Sequence, residues 1–348
     1  MKKKLRIAQI APLWVSVPPR TYGGTELMVY NITEGLFKRQ HKVTLFASGD
    51  SHANALLIPP LERGIWLQHG IRNPHAPIIR LIKMVHERLS DFDLIHNHFN
   101  FFPFPVSLHS KCPPFLTTVH RPVDTAYAET MKAYPKIKFC AISEDHKKSM
   151  EEHGVPVAGV VYNGIDMPRY EYNNRPNDYL LYLGRINSEK GILTAIEAAR
   201  VTGQKLIVAG NIVGEGEWLH FMHEIQPLLH HENINFRGQV NFEEKIELLK
   251  NAKALLFPIN VREAFGLVMT EAMACGTPVI AFRRGSVPEI VEHGKTGFVV
   301  DTKEEMIEAI KMIGSIDRAK CRESVEKKFS LEIMIDRYEK IYEKIIGS

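Results

Sequence analysis

Tyr179-Leu180-Leu181-Tyr182-Leu183-Gly184-Arg185-Ile186-Asn187-Ser188-Glu189-Lys190-Gly191-Ile192-Leu193-Thr194-Ala195-Ile196 passes from a short apolar run, through a polar loop bounded by glycines, into an apolar pattern of helical spacing. A strand of this length with no polar alternation is buried on both faces, as in a parallel sheet covered by helices. The loop carries two cations, Arg185 and Lys190, at the carboxyl end of that strand.

The same unit recurs on both sides. In the first half the strand candidates are Leu5–Ala11, Lys42–Ala47, Asp93–His96, Phe115–His120, Lys138–Ser143 and Gly159–Tyr162. In the second half they are Tyr179–Leu183, Lys205–Ala209, Ile234–Arg237, Ala254–Phe257, Pro278–Ala281 and Gly297–Val300. Helical patterns lie between them at Thr25–Arg39, Ile78–Leu89, Asp145–His153, Gly191–Thr202, Glu243–Asn251 and Lys303–Ile313. This alternation predicts an α/β chain with doubly wound parallel sheets. It breaks at Asp166–Asp178, a stretch rich in Pro, Asn and Asp that reads as a linker. The expected division is residues 1–165, a linker at 166–178, a second domain at 179–328, and a terminal helix at 329–348 returning to the first domain. Ser315–Lys328 and Leu331–Ile346 read as two closing helices with no strand after them. Two such domains facing each other would set the carboxyl ends of two sheets across one cleft, where open parallel sheets bind ligands.

With 348 residues, 45% hydrophobic and 24% charged, the chain has the composition of an ordinary globular protein. A formal charge of +4 is too small to argue for a nucleic-acid partner, none is expected, and it suits an anionic small substrate or an acidic membrane surface. The four cysteines, Cys112, Cys140, Cys275 and Cys321, form no C-x-x-C pair and read as thiols in a reducing compartment. The start Met1-Lys2-Lys3-Lys4 leads into a run broken by Arg6 and Gln9, hence a first strand and not a signal peptide. No segment approaches the roughly 20 apolar residues of a membrane span. A cytoplasmic protein is expected.

Several loops carry chemistry. After the first strand a long loop ends in Tyr22-Gly23-Gly24-Thr25-Glu26, opening a helix. Adjacent glycines and a helix N-terminus suit a phosphate, although a turn with a Thr25 cap explains them equally. The loop lacks G-x-G-x-x-G and is too long for that fingerprint's tight turn, which counts against a dehydrogenase. Arg185 and Lys190 can hold a diphosphate and stabilise its charge as it leaves. Glu263 and Glu271 lie eight residues apart around a helix start near Gly266, up to ~12 Å along a helix axis. That spacing suits two ends of an elongated ligand, and is too wide to share a proton or a metal. Ala272, Met273, Ala274 and Cys275 make this helix a buried one, so Glu271 needs partners. His96 and His98 point to one side of a strand end and read as structural, since no Cys or carboxylate completes a metal set. His120 ends another strand, before Arg121 and Pro122.

Taken in order, Gly23-Gly24-Thr25-Glu26, Val161-Tyr162-Asn163-Gly164-Ile165-Asp166, Gly184-Arg185 with Glu189-Lys190-Gly191, Glu263 to Glu271, Gly276-Thr277-Pro278-Val279, Gly285-Ser286-Val287-Pro288-Glu289 and Gly294-Lys295-Thr296-Gly297-Phe298 resemble the retaining glycosyltransferases of family 4, over nearly the whole chain. The resemblance implies the two-domain GT-B fold and transfer of a sugar from a nucleotide-sugar co-substrate, with no other cofactor and no metal. It implies that Arg185 and Lys190 grip the diphosphate, Glu263 the donor sugar and Glu271 the ribose. Backbone amides of Phe265, Gly266, Leu267 and Val268 would meet sugar or phosphate. Gly23 and Gly24 would approach the phosphates, His120 would sit by the donor sugar, and backbone near Gly238 and Val240 would receive the base. Retaining members lack an obvious enzymic nucleophile, and catalysis would rest on leaving-group stabilisation and positioning, with domain closure on donor binding. A UDP-hexose is the expected donor, with GDP-mannose as the alternative.

Two positions depart from the family pattern. Arg121 stands where many relatives have aspartate, which points to an acidic or phosphorylated acceptor. Ala264 replaces a common proline, with little consequence expected. The acceptor, whether glycan, lipid or small molecule, is not readable. Phe99–Pro105 reads as loop packing or acceptor lining, and Lys132, Lys136, Lys138, Lys147 and Lys148 as a solvated face or a peripheral membrane contact. The rival functions are a nucleotide-sugar-binding protein without turnover, a nucleotide-sugar epimerase and a glycan phosphorylase.

Overall fold

Each of two parallel sheets is built from a strand–helix alternation, in a computed structural model that describes residues 4–68 and 70–347. The basic start Met1–Lys3 lies outside the described residues. The chain divides into two compact units: Met1–Gly164 with Leu331–Ser348, and Ile165–Ser330.

The first sheet holds β1 (Arg6–Ile10), β2 (Lys42–Phe46), β3 (Leu56–Ile58), β4 (Leu94–Asn97), β5 (Phe115–Thr118), β6 (Ile137–Ala141) and β7 (Val157–Val160). Their order is β3-β2-β1-β4-β5-β6-β7, all parallel. The second holds β8 (Leu180–Leu183), β9 (Leu206–Ala209), β10 (Ile234–Gly238), β11 (Ala254–Phe257), β12 (Val279–Phe282) and β13 (Gly297–Val300), in the order β10-β9-β8-β11-β12-β13, also all parallel. Both are doubly wound, and the strand order reverses between β1 and β4 and between β8 and β11. Loops leaving the carboxyl ends of strands at such a reversal flank a natural crevice.

The helices are α1 (Gly24–Lys38), α2 (His75–His86), α3 (Thr125–Lys132), α4 (Glu144–Glu152), α5 (Ile192–Thr202), α6 (Gly214–His220), α7 (Phe242–Asn251), α8 (Leu267–Ala274), α9 (Val287–Ile290), α10 (Lys303–Met312), α11 (Arg318–Lys328) and α12 (Leu331–Ile346). Their starts follow the sequence. The side chains of Asp124, Ser143 and Thr302 accept the free N–H groups of α3, α4 and α10, and Asn241 with Glu244 forms a reciprocal capping box on α7. Strands β4, β5, β11, β12 and β13 are buried at every residue, as sheets covered on both faces require.

Four elements lie outside the sequence expectation: β3, α3, α6 and α9. The expected strand Gly159–Tyr162 runs instead over Val157–Val160, where the β6–β7 register shifts between Phe139 and Cys140. The expected helix Ile78–Leu89 begins earlier, at His75, because Pro77 is tolerated in a first turn. The polar stretch 166–178 is no free connector. Its Tyr170 hydroxyl donates to Glu271 (2.9 Å), the Asn177 N–H to the Asn251 carbonyl (2.8 Å), and Arg318 Nε to the Asn173 carbonyl (2.7 Å), all within the second unit.

Helix α12 completes the first unit. Its Tyr338 and Tyr342 are fully buried, and its Glu339 accepts from Arg39 (2.8 Å) and His41 (3.0 Å). A Cβ at Gly35 of α1 would collide with Ile335 of α12, so glycine permits the two helices to approach. Of the free cysteines, Cys140, Cys275 and Cys321 are buried, and burial pushes each thiol up to about 12.

Candidate active site

In the second unit the two loops at the strand-order reversal are laced together. The first joins β8 to α5 and carries Arg185 and Lys190; the second joins β11 to α8 and carries Glu263. Asn260 donates its backbone N–H to the Glu189 carbonyl and its side-chain amide to the Ser188 carbonyl, each at 2.8 Å. Lys190 Nζ meets Glu263 Oε2 at 2.6 Å, with the two side chains only 27% and 14% exposed. Gly191, at φ +72°, ends the first loop where a Cβ would collide with the Pro258 carbonyl. Glu263 is held from behind: its carbonyl accepts from Ser286 N–H (3.0 Å), and a Cβ on Gly285 would strike its backbone. Glycine at both positions therefore lets two loops pack backbone to backbone.

Arg185 is anchored at one side only. Its Nη2 pairs with Glu217, which also accepts from Asn187 Nδ2 (2.9 Å) and from the Val213 N–H (2.7 Å). Its buried Nε has no hydrogen-bond partner among the described residues. A buried guanidinium donor left unpaired costs about 1–3 kcal/mol, which a bound anion would recover. Glu217 thus sits where an anionic group on Arg185 would go.

Phe265 is buried, while Leu267 and Val268 are half-buried in the opening turn of α8 behind Gly266. That end of the helix presents free N–H groups and partial positive charge. Glu271 lies about one turn further in, 5% exposed, where it takes Tyr170 Oη at 2.9 Å and Lys245 Nζ at 2.5 Å. The neighbouring carboxylate helps push the Tyr170 phenol well above its usual range, behind the larger effect of burial. Gly238 closes β10, with its carbonyl accepting from Gly210 N–H (2.8 Å), and Val240 follows half-buried in the loop. These two stand at the sheet edge, with β9 between them and β8.

In the first unit Gly23, Gly24, His98, His120 and Arg121 line one cavity of about 190 Å³ with Trp14, Trp66 and Glu26. His120 leads a buried hydrogen-bonded chain: His120 Nε2 to His98 Nδ1 (2.9 Å), His98 Nε2 to Gln9 Oε1 (2.8 Å), Gln9 Nε2 to His96 Nδ1 (3.4 Å), and His96 Nε2 to Thr118 Oγ1 (2.8 Å). The Tyr342 hydroxyl also reaches His96 Nδ1, at 2.8 Å. An amide oxygen only accepts, so His98 carries its proton on Nε2. Its Nδ1 then accepts, and His120 must donate from Nε2. This fixes His120 as the Nε2–H tautomer, with its Nδ1 lone pair left for another partner. Burial keeps all three rings neutral, with His120 lowered to about 3 and His96 and His98 well below the usual range.

The structure therefore joins Lys190 to Glu263 and groups His120 with Gly23 and Gly24. It ties Glu271 to groups that sequence spacing did not offer: Lys245 and Tyr170. Glu217, Gln9 and Trp66 likewise reach the two sites from distant positions. Among the described residues no three His, Cys, Asp or Glu side chains gather as a metal-binding group, and no helix is long and apolar enough to cross a membrane.

Residues 22–169 match the profile of Glycosyltransferase Family 4, and residues 169–328 that of Glycosyl transferases group 1. The chain belongs to the family-4 glycosyltransferases. It is an enzyme of the transferase class with the GT-B type of fold. It is 26% identical over 276 residues to an uncharacterized glycosyltransferase of Methanocaldococcus jannaschii, spanning 73% of this chain and 76% of the relative. It is 22% identical to the O-antigen chain mannosyltransferase C of Escherichia coli, over 95% of this chain and 96% of that one. HepE of Anabaena, solved in complex with UDP and glucose, shares the fold with a TM-score of 0.76 at 17% identity, over 98% of this chain and 100% of HepE. In this glycosyltransferase Arg185, Lys190 and Glu263 occupy the loops where a doubly wound sheet changes direction.

Proposed function

We propose that this glycosyltransferase moves a hexose from a nucleoside-diphosphate donor to an acceptor hydroxyl with retention at the anomeric carbon and without a metal ion. The observation that carries the reading is the second unit's pair of laced loops, where Arg185, Lys190, Glu263 and the start of α8 converge with one buried arginine donor unpaired. Arg185 and Lys190 take the diphosphate, supplying the positive charge that a metal supplies in other transferases. Glu263 orients the sugar hydroxyls, and Glu271, held by Lys245 and Tyr170, takes the ribose. The first unit takes the acceptor.

The reaction breaks the bond between the anomeric carbon and the phosphate oxygen and forms one between that carbon and the acceptor oxygen on the same face. The acceptor proton leaves on the departing phosphate, and the nucleoside diphosphate is released. No close acid pair of the glycosidase kind is needed. Lys190 and Arg185 lower the barrier by binding the charge as it develops, so their contribution grows from bound donor to transition state. UDP-hexose is the first donor choice; the UDP and glucose bound by HepE accord with it. GDP-mannose is the second, by likeness to the mannosyltransferase of Escherichia coli.

A thermal-shift series on the full chain with UDP-, GDP-, ADP- and dTDP-sugars, with and without chelator, tests the donor. Stabilisation by one nucleotide class that survives chelation is expected. The absence of any shift would remove the donor reading, and a shift abolished by chelator would remove metal independence. Product anomers resolved by NMR test retention.

A further inference from the structure

The first unit's cavity has an electrostatic character that the donor reading does not use. Arg121 lies exposed at its wall and pairs with no carboxylate among the described residues. Among the described residues only one carboxylate lines the cavity, that of Glu26. It is 5% exposed, and burial pushes it up to about 7, so near neutral pH it carries at most part of a charge. The histidines His98 and His120 are held neutral by burial. The cavity is therefore a small cationic site whose only full charge is one guanidinium.

Its remaining wall is a rigid aromatic surface. Trp66 is 54% exposed, unusual for so large an apolar ring, yet it is firmly held. Its backbone N–H donates to the Trp14 carbonyl (3.0 Å), and the Ile65 backbone N–H to the Leu13 carbonyl (2.8 Å). Its ring stacks on Trp14 at 5.9 Å. Gly64 permits this, since a Cβ there would meet the Val15 backbone. An exposed aromatic face fixed in advance loses little entropy on binding and suits the apolar face of a sugar or polyol ring. Asn100, on the opposite loop, sits at φ +48° with its carbonyl accepting from Asn97 Nδ2 (2.8 Å). At about 190 Å³ the cavity has room for one small ring or one charged branch.

We propose that this cavity selects an acceptor bearing an anionic group, a carboxylate or a phosphate, which Arg121 binds while the acceptor's ring lies against Trp66. This rests on the acceptor role given above to the first unit and narrows it to a substrate class. Arg121 is a specificity residue and leaves the donor chemistry to the second unit. The same guanidinium chemistry would also take a phosphate of the donor, and the test separates the two sources.

The probes are matched pairs of small hexoses and polyols, each with and without a carboxylate or phosphate, among them glucose, glucuronate and glucose 6-phosphate. Binding to the full-length chain is read by tryptophan fluorescence, and UDP binding by calorimetry. Anionic members are expected to bind at least tenfold tighter than their neutral partners. Arg121→Gln should erase that preference with UDP affinity unchanged, and Arg121→Glu should reverse it. Equal binding of neutral and anionic members, no binding by any anionic member, or a preference that survives Arg121→Gln would overturn the proposal. So would a loss of UDP affinity in Arg121→Gln, which would give the residue to the donor. Anion preference in a protein that binds no nucleotide sugar would refute the donor reading alone and leave this site standing.

Discussion

Replacing Glu26 by glutamine should remove an alkaline weakness from the first unit. Glu26 lies in the opening turn of α1, 5% exposed, and no ion pair to it occurs among the described residues. Its own backbone N–H favours the charged form, but burial is the larger effect and raises the carboxyl from 4.5 to about 7. A folded-state value above the unfolded one means that the folded chain holds the proton more tightly. The associated stability is complete below pH 4.5 and is lost as pH rises through 7. A shift of this size corresponds to about 3 kcal/mol, most of it lost between pH 5 and 8. Glutamine keeps the shape and cannot ionise. Urea unfolding at a series of pH values is the assay. Two of the three tryptophans, Trp14 and Trp66, lie in the first unit, so a Trp218→Phe background makes fluorescence report that unit alone. The wild-type midpoint should fall between pH 5 and pH 8, and that of Glu26→Gln should fall less, the two curves separating by up to about 3 kcal/mol. Parallel curves across that range would show that Glu26 is ionised in the folded state, and would also remove the neutral carboxyl from the cavity's charge balance.

Arg185→Ala and Lys190→Ala should each lower kcat by about 100-fold or more at saturating donor, as loss of charge stabilisation in the transition state requires; Glu217→Gln should tighten UDP binding severalfold in calorimetry, since the phosphate no longer displaces a carboxylate from Arg185. The ring protons of His96, His98 and His120 should show no titration in NMR between pH 8 and pH 5. Because these rings have folded values below the usual 6.5, the stability tied to their neutral form is present above 6.5 and declines as pH falls below it; a midpoint near 6.5 for any of them would dismantle the hydrogen-bonded chain. Glu271→Gln leaves Lys245 buried without its counter-charge and should destabilise the second unit by about 3 kcal/mol in urea unfolding.

What could be read from sequence depended on how local its cause was. Strand β8, its loop and helix α5 were legible because an apolar run, a glycine-bounded loop and a helical repeat follow one another directly. Helix α12 was legible from its own spacing, and its bounds match Leu331–Ile346. Helix α6 was not, since Gly214 and Gly216 within Gly214–His220 oppose helix formation. Helix α3 buries only Tyr127, Ala128 and Met131, too short a pattern to stand out, although the Asp124 cap was a usable signal. At the site, Arg185, Lys190 and Glu263 could be named because each sits in a glycine-marked loop after a strand. Glu217 and Lys245 could not, because they pair with Arg185 and Glu271 across 32 and 26 residues. The sequence placed His96 and His98 on one side of a strand, and their rings do lie 4.0 Å apart. That Gln9 and Tyr342 fix their protons follows only from the tertiary structure.

The first unit draws its last helix from beyond the second, and this sets an order of events during synthesis. When residue 164 leaves the ribosome, all seven strands of the first sheet exist, yet His96 and Thr118 still lack the hydroxyls of Tyr342 and Tyr338. The second unit, Ile165–Ser330, is contiguous and can close as it emerges. The half made first is thus finished last, and its exposed α1 face must wait through the synthesis of an entire second domain, a period in which a chaperone or premature self-association would find it open.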